Sequence, residues 1–232
     1  MKQLVAVRRL HKWFALIAGV QILIWSLSGL YMTVVDLDII HGDHLVTKSQ
    51  TVKLNDLSVV PISPSILNQF TPIKSIELKS YFGAPVYEIQ SLNKQLHIVD
   101  AHTGTLKSAL DKQQISNIAA SIYAGDAKVR KVEKLPNYPS EIGARDQDVW
   151  LVQYDDLVNS SLYFHPLTGK LLSKRTDLWR TFDFLWILHI MEYAKSDGYE
   201  GYLFRIFSTS SFLLAIFGAW LLIYRLRTEV SK

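Results

Sequence analysis

The 232-residue chain has no cysteine, and that one absence removes several chemistries together. Disulfides, thiolate zinc sites, iron-sulfur clusters, a cysteine nucleophile and thioether-attached haem are all excluded, so any metal must be held by His, Met, Asp or Glu. Also missing are a nucleophile elbow, a phosphate-binding glycine loop and an HExxH pair, so the sequence carries no soluble-enzyme signature. The Asp155-Asp156 pair reads most simply as a solvated turn. The charges nearly balance, with 25 Lys and Arg against 21 Asp and Glu. The formal net charge is +4, and the basic residues gather beside apolar segments, not in a stripe interleaved with aromatics. That argues against nucleic acid as a partner and for a lipid bilayer.

What is abundant is apolar surface: 49% of residues are hydrophobic, and the positive mean hydropathy, +0.12, is higher than a soluble domain of this size needs. Phe14 to Val35 carries no charge and is long enough to cross a hydrocarbon core of about 30 Å. It is too long for the apolar core of a signal peptide, and no small-x-small cleavage site follows it, so it is expected to stay. Ile206 to Tyr224 is a second span. Basic residues precede the first (Lys2, Arg8, Arg9, Lys12) and follow the second (Arg225, Arg227, Lys232), whereas Asp36 and Asp38 follow the first. The positive-inside rule then puts both termini in the cytoplasm and residues 45 to 176 outside it. Gly19, Ser26, Ser28 and Gly29 on the first helix, and Ser208 to Ser211, Gly218 and Ala219 on the second, offer small or hydroxylated surfaces for contact.

Between the spans, two segments look alike. "HIVDAHTGTLKS" (His97 to Ser108) and "LYFHPLTGKLLS" (Leu162 to Ser173) each run from a strand through Thr-Gly into apolar residues. Each reads as a strand, a tight turn whose glycine takes positive φ, and the start of a further strand. Upstream the order recurs: a short helix (Pro64 to Phe70, with Ser63 as N-cap; Gln114 to Tyr123), then a hairpin ("IKSIELKS" with "PVYEIQS"; "KVRKVEKL" with "VWLVQYD"). The expected fold class is therefore a membrane α+β protein: two transmembrane helices flanking a domain of two helix-plus-antiparallel-sheet units. The second unit carries a loop insertion, "PNYPSEIGARDQ". The expected segments are 1–44, N-terminus and first span; 45–110, first unit; 111–176, second unit; 177–202, a surface helix; and 203–232, second span and basic tail.

The segment "DFLWILHIMEY" (Asp183 to Tyr193) is too short to span and would break the even crossing count. It is expected to be a short helix at the membrane surface, anchored by Trp179, Trp186 and Tyr193, with His189 turned toward the bundle. Its helical neighbours at three and four residues would be Leu185, Trp186, Glu192 and Tyr193. That face suits a flat ligand, or holds a core histidine satisfied by Glu192 or a backbone carbonyl. His11 reads either as one more interfacial polar group or as a site residue. His41 and His44 in "IIHGDHL" share a helical face if the segment is helical, or a polar turn if Gly42 breaks it. Met32 and Met191 are alternative ligands but read as packing. His97, His102 and His165 read as surface or structural.

The N-terminal "RRLHKWFALIAG" entering a span, the paired "VDAHTGTL"-type turns and the late "LHIMEY" before a final span resemble the PepSY-associated transmembrane proteins of bacterial inner membranes. The likeness covers nearly the whole chain, and its most specific parts are Leu10-His11-x-Trp13 and Leu188-His189. It implies an inner-membrane, multi-pass protein whose central domain is periplasmic and built of two PepSY-like units. Larger relatives of this kind include haem-containing reductases of ferric siderophores. The resemblance therefore implies haem b held by His189 and His11, with His41 or His44 opposing His189. His11 would serve a second, inner haem or a site shared with another protomer. The implied function is a haem b electron-transfer or ferric-reductase component, an oxidoreductase subunit in iron uptake. The PepSY module also implies an alternative: a membrane-tethered regulatory or binding module with no redox centre. Two spans enclose haem poorly, which points to a homo-oligomer or a membrane partner subunit.

Overall fold

The structure, a computed structural model, describes residues 2–47, 58–191 and 202–230. It divides into a helical unit, Met1–Leu37 with Arg180–Lys232, and a sheet unit, Asp38–Trp179.

In the helical unit α1 (Lys2–Val34) and α6 (Tyr202–Val230) run 33 and 29 residues, about 50 and 43 Å at 1.5 Å per residue. Both are long and apolar enough to cross a membrane, and most of their side chains are exposed. Exposure of large apolar side chains along the whole length is what lipid tolerates and water does not. The two helices pack antiparallel. Phe14 meets Phe217 with ring centroids 5.9 Å apart, and His11 lies against Gly218. On α1 the covered positions are Val7, His11, Phe14, Ala18, Gln21 and Ser28, and on α6 they are Phe207, Ser210, Leu214, Phe217 and Leu221. That three-and-four spacing is the seam of a left-handed helix pair. Of the small residues expected to make contact, Ser28, Gly29, Ser210 and Gly218 face it. Gly19, Ser26, Ser208, Thr209, Ser211 and Ala219 point out, because only one stripe of each helix can face its partner.

In the sheet unit, α2 (Leu37–His41), beginning at its border, precedes two antiparallel sheets. The first is β1 (Ile73–Tyr81), β2 (Ala84–Ser91) and β3 (Leu96–Asp100), in that order. The second is β4 (Val129–Leu135), β5 (Val149–Tyr154), β6 (Ser161–Phe164) and β7 (Leu171–Arg175). Both expected hairpins are present, β1 with β2 and β4 with β5. The two Thr-Gly turns are the same structure. Gly104 and Gly169 sit at φ 68° and 67°, and their N–H groups donate to Asp100 O (2.8 Å) and His165 O (2.9 Å). Asp100 N–H donates to Thr105 O at 2.8 Å and His165 N–H to Lys170 O at 2.9 Å.

The two halves differ in how much they bury. In the second, α4 (Lys112–Ile122) starts at Asp111, whose side chain and that of Gln114 form a capping box. It lays Ile115, Ala119 and Ile122 on Trp150, Val152, Leu162 and Phe164. In the first, α3 (Pro64–Leu67) is a single turn, continued by a 3-10 turn through Phe70, with no buried residue. Ser63 caps it as expected, accepting from Ser65 N–H. The chain after Thr105 makes one bridge, Val99 to Leu106, in place of the expected strand, whereas Leu171–Arg175 pairs fully with β6. The turn is the same, but only the second has apolar residues enough behind it to extend the ladder. The insertion between β4 and β5 folds as a 3-10 turn, Ser140–Ile142, closed by a Tyr138 to Arg145 bridge.

Candidate functional site

The seam of the helical unit holds polar side chains at three levels. Toward the C-terminal end of α1 stands His189, near the end of α5 (Asp177–Ile190). Its Nδ1 lies 2.9 Å from Ser28 Oγ, and its carbonyl accepts from Trp25 Nε1 at 2.7 Å. Gly29 faces the ring edge, where a Cβ would lie 3.5 Å from Cε1. The expected alternatives for satisfying this histidine were Glu192 or a carbonyl, and the partner is a serine on α1. α5 ends at Ile190, Met191 takes φ 56° and is buried, and Glu192 and Tyr193 lie outside the described residues. The aromatic neighbours present are Phe182 and Trp186, stacked at 6.2 Å, and Trp25, 6.5 Å from the imidazole.

Toward the N-terminal end of α1 His11 lies against Gly218, where a Cβ would come within 3.2 Å of the ring; the glycine makes the room. His11 Nδ1 is buried and has no hydrogen-bond partner among the described residues. Between the two histidines, the descending register carries Gln21 to the level of Ser210. Both are buried, at 3% and 7% exposure, and Gln21 Nε2 has no partner among the described residues. Gln21 was not singled out in the sequence. Its signal was the seam spacing from His11 through Phe14 and Ala18 to Ser28. His11 and Ser28 are separated by about 25 Å along α1, so His11 and His189 serve different levels.

His41 and His44 belong to the sheet unit and are exposed. They do not share a helical face: α2 ends at His41, Gly42 takes φ 66°, and His44 stands in the 3-10 turn Asp43–Leu45. His41 borders a shallow groove with Asp43, Lys174, Arg175 and Trp179. Lys174 pairs with Asp43, and the Lys174 ammonium holds that carboxyl below its usual value. The Arg175 guanidinium lies 3.8 Å over the Trp179 ring. Trp179 was expected as a membrane anchor, and this stacking occupies one of its faces. Among the described residues no three His, Asp or Glu side chains converge as a metal-binding set.

The other histidines have structural partners. His97 stacks on Phe70 at 4.0 Å, and His102 Nδ1 lies 2.8 Å from Ser58 O. His165 Nδ1 accepts from the Leu167 and Thr168 N–H groups at 3.2 and 3.3 Å. Burial pushes His165 below the ordinary histidine value. Nearby, burial works to raise Glu88, but hydrogen bonds from Lys79 (2.5 Å) and Tyr81 outweigh it and hold the carboxyl low.

No family model, curated protein or solved structure matches the chain. The likeness drawn in the sequence rests on its quoted residues.

Proposed function

We propose that the chain is a two-span component of the bacterial inner membrane that binds haem b and passes electrons, in the manner of a ferric-siderophore reductase subunit. The observation that carries this reading is the fixed imidazole of His189. Ser28 has one hydroxyl proton, and two carbonyls of its own helix lie within reach, Ile24 O at 2.8 Å and Trp25 O at 3.2 Å. With that proton on the helix, Ser28 Oγ accepts from His189 Nδ1–H, and Nε2 carries the lone pair. An imidazole held by its second nitrogen, with the first one bare, is the arrangement a metal ligand requires. The residues therefore fit the group: His189 would hold one haem beside Ser28, and His11, whose Nδ1 has no partner among the described residues, another beside Gly218. Bound haem b would supply a one-electron couple tuned by the residues that hold it. Ser28 orients the ring, Trp25 fixes the backbone of His189, and Gly29 and Gly218 give the rings space.

The topology follows from the basic flanks. Both termini are cytoplasmic and residues 45–176, with the two PepSY-like halves, are periplasmic. Impermeant labelling of single cysteines at positions 107 and 232 from opposite sides supports it; labelling of both from one side refutes it.

The test of the haem reading is spectroscopic. Protein expressed with ample haem should show a Soret band that shifts on reduction. His189→Ala should lose or alter that spectrum, and Ser28→Ala should shift the reduction potential with the haem retained. A purified, inserted protein without a Soret band would overturn the proposal. The second reading, a membrane-tethered binding module with no redox centre, is favoured by one observation, a cavity in the sheet unit taken up next.

A further inference from the structure

Where the two sheets of the sheet unit meet there is a cavity of about 330 Å³, at the lower end of the range in which small-ligand sites fall. Its walls are mainly apolar, from Val46, Tyr81, Phe82, Ile122 and Leu171, and among the described residues lining it the one cation is Lys170. The rim is built under strain. Phe82 and Gly83 both take positive φ, 52° and 82°, the twist of a tight hairpin turn, in which a bulky residue at the first position is unfavourable. The Phe82 ring is held by the opposite turn, since a Cβ on Gly169 would come within 3.0 Å of it. The next residue is Lys170, whose N–H donates to Thr168 Oγ1 at 3.2 Å. Its backbone is thus fixed while its side chain is exposed.

The charges around this rim are unequal in their needs. Glu88 is shared by Lys79 and Tyr81, and Lys79 also pairs with Glu77 at 3.0 Å. Lys170 Nζ makes no ion pair among the described residues. An apolar cavity with one unanswered ammonium beside it complements an apolar chain ending in one negative charge. A single flexible ammonium suits a monoanionic carboxylate, whereas a phosphate dianion calls for more cations or a bidentate arginine.

We propose that this cavity is a binding site for an alkyl monocarboxylate, with the chain between the sheets and the carboxylate on Lys170 Nζ. The site is independent of the haem reading. Its test uses the full chain in lipid nanodiscs with a diazirine-bearing alkyl carboxylate as photoprobe, and peptide mapping of the label. Label should fall on the turn around Tyr81 and Phe82 and on Leu171, and octanoate should displace it while octylamine does not. From butanoate to octanoate each methylene should improve competition roughly fourfold, the factor equivalent to burying ~0.8 kcal/mol per methylene. Lys170→Ala should weaken octanoate roughly tenfold and leave octanol unchanged, and Lys170→Glu should reverse the preference toward octylamine. Lys170 is exposed, so neither change threatens the fold. Label confined to α1 and α6, equal competition by octylamine, or an unaltered Lys170→Ala protein would each overturn the proposal.

Discussion

Gly169→Ala tests whether the two halves of the sheet unit are locked together through their turns. Two costs arise at this position. The backbone sits at φ 67°, which an L-residue adopts at about 1–2 kcal/mol. The added methyl would also lie 2.6 Å from Ile118 Cδ1, 3.0 Å from Phe82 Cε2 and 3.1 Å from Leu110 Cδ1. One of these, Ile118, is a side-chain end of the second half, and the other two, Leu110 and the Phe82 ring, belong to the first, so relieving the clash means opening the junction. Overpacking of this kind costs about 1–3 kcal/mol. Restricting the unfolded chain returns about 0.4–1 kcal/mol, leaving a net loss of about 1–5 kcal/mol. Gly143→Ala supplies the control, because Gly143 also has positive φ, 81°, but a Cβ there meets nothing within 4 Å. It should lose about 1 kcal/mol or less.

The assay is urea unfolding of the full protein in nanodiscs, followed through a fluorotryptophan resonance of Trp150. That residue is buried, and its Nε1 donates to Leu110 O at 3.2 Å, so it reports on the strands beside the junction. The midpoint should fall with the slope unchanged. If Gly169→Ala is no more damaging than Gly143→Ala, the turn is not clamped between Phe82, Leu110 and Ile118, and the rim of the carboxylate site loses its support.

Tyr123→Phe should cost the sheet unit about 1.5–3 kcal/mol in the same unfolding assay, because it removes a 3.0 Å hydrogen bond to the Asp156 carboxylate. The Tyr123 hydroxyl, pushed up to about 12 by burial and by Asp156, should stay protonated in an ultraviolet titration through pH 10 and lose part of that protection in Asp156→Asn, burial keeping the rest. Stability of the sheet unit should fall on acidification in two stages. Burial holds His165 and His97 below the ordinary histidine value, so the unfolded chain takes up protons first and stability declines below about pH 6.5. Glu88, Asp100 and Asp156 are also held low, so their contribution is present above about pH 4 and lost beneath it. His165→Asn keeps an acceptor for the Leu167 and Thr168 N–H groups and should flatten the first stage, even with Glu88 and Lys170 facing the site; an unchanged slope would count against the neutral, buried histidine. Gln21→Leu should weaken α1–α6 association by up to about 1 kcal/mol in a steric-trapping measurement, since separated helices leave the amide of the now buried Gln21 against hydrocarbon.

Much of the architecture could be read from local chemistry. Charge-free runs gave the long helices, alternation gave the hairpins, and Thr-Gly gave two turns whose glycines take the same φ and whose hydrogen bonds recur. What could not be read depended on residues far apart in sequence. The partner of His189 is Ser28, at the other end of the chain, and nothing near "LHIMEY" identifies it. The first half's missing strand depends on how little apolar surface lies behind Leu106, which is a property of packing. The faces of α1 and α6 were equally hidden, because lipid accepts apolar residues on every side and the usual amphipathic stripe is erased. In such a pair the apolar residues cannot specify which faces meet, since lipid solvates them as well as protein does. The polar ones can. Gln21, Ser28 and Ser210 would each be worse placed against hydrocarbon, and His11 requires the gap left by Gly218. A rotation of either helix by one residue would expose at least one of them. The same groups that disturb an otherwise uniform apolar surface therefore fix its register, and that register presents His189 Nδ1 to Ser28 Oγ.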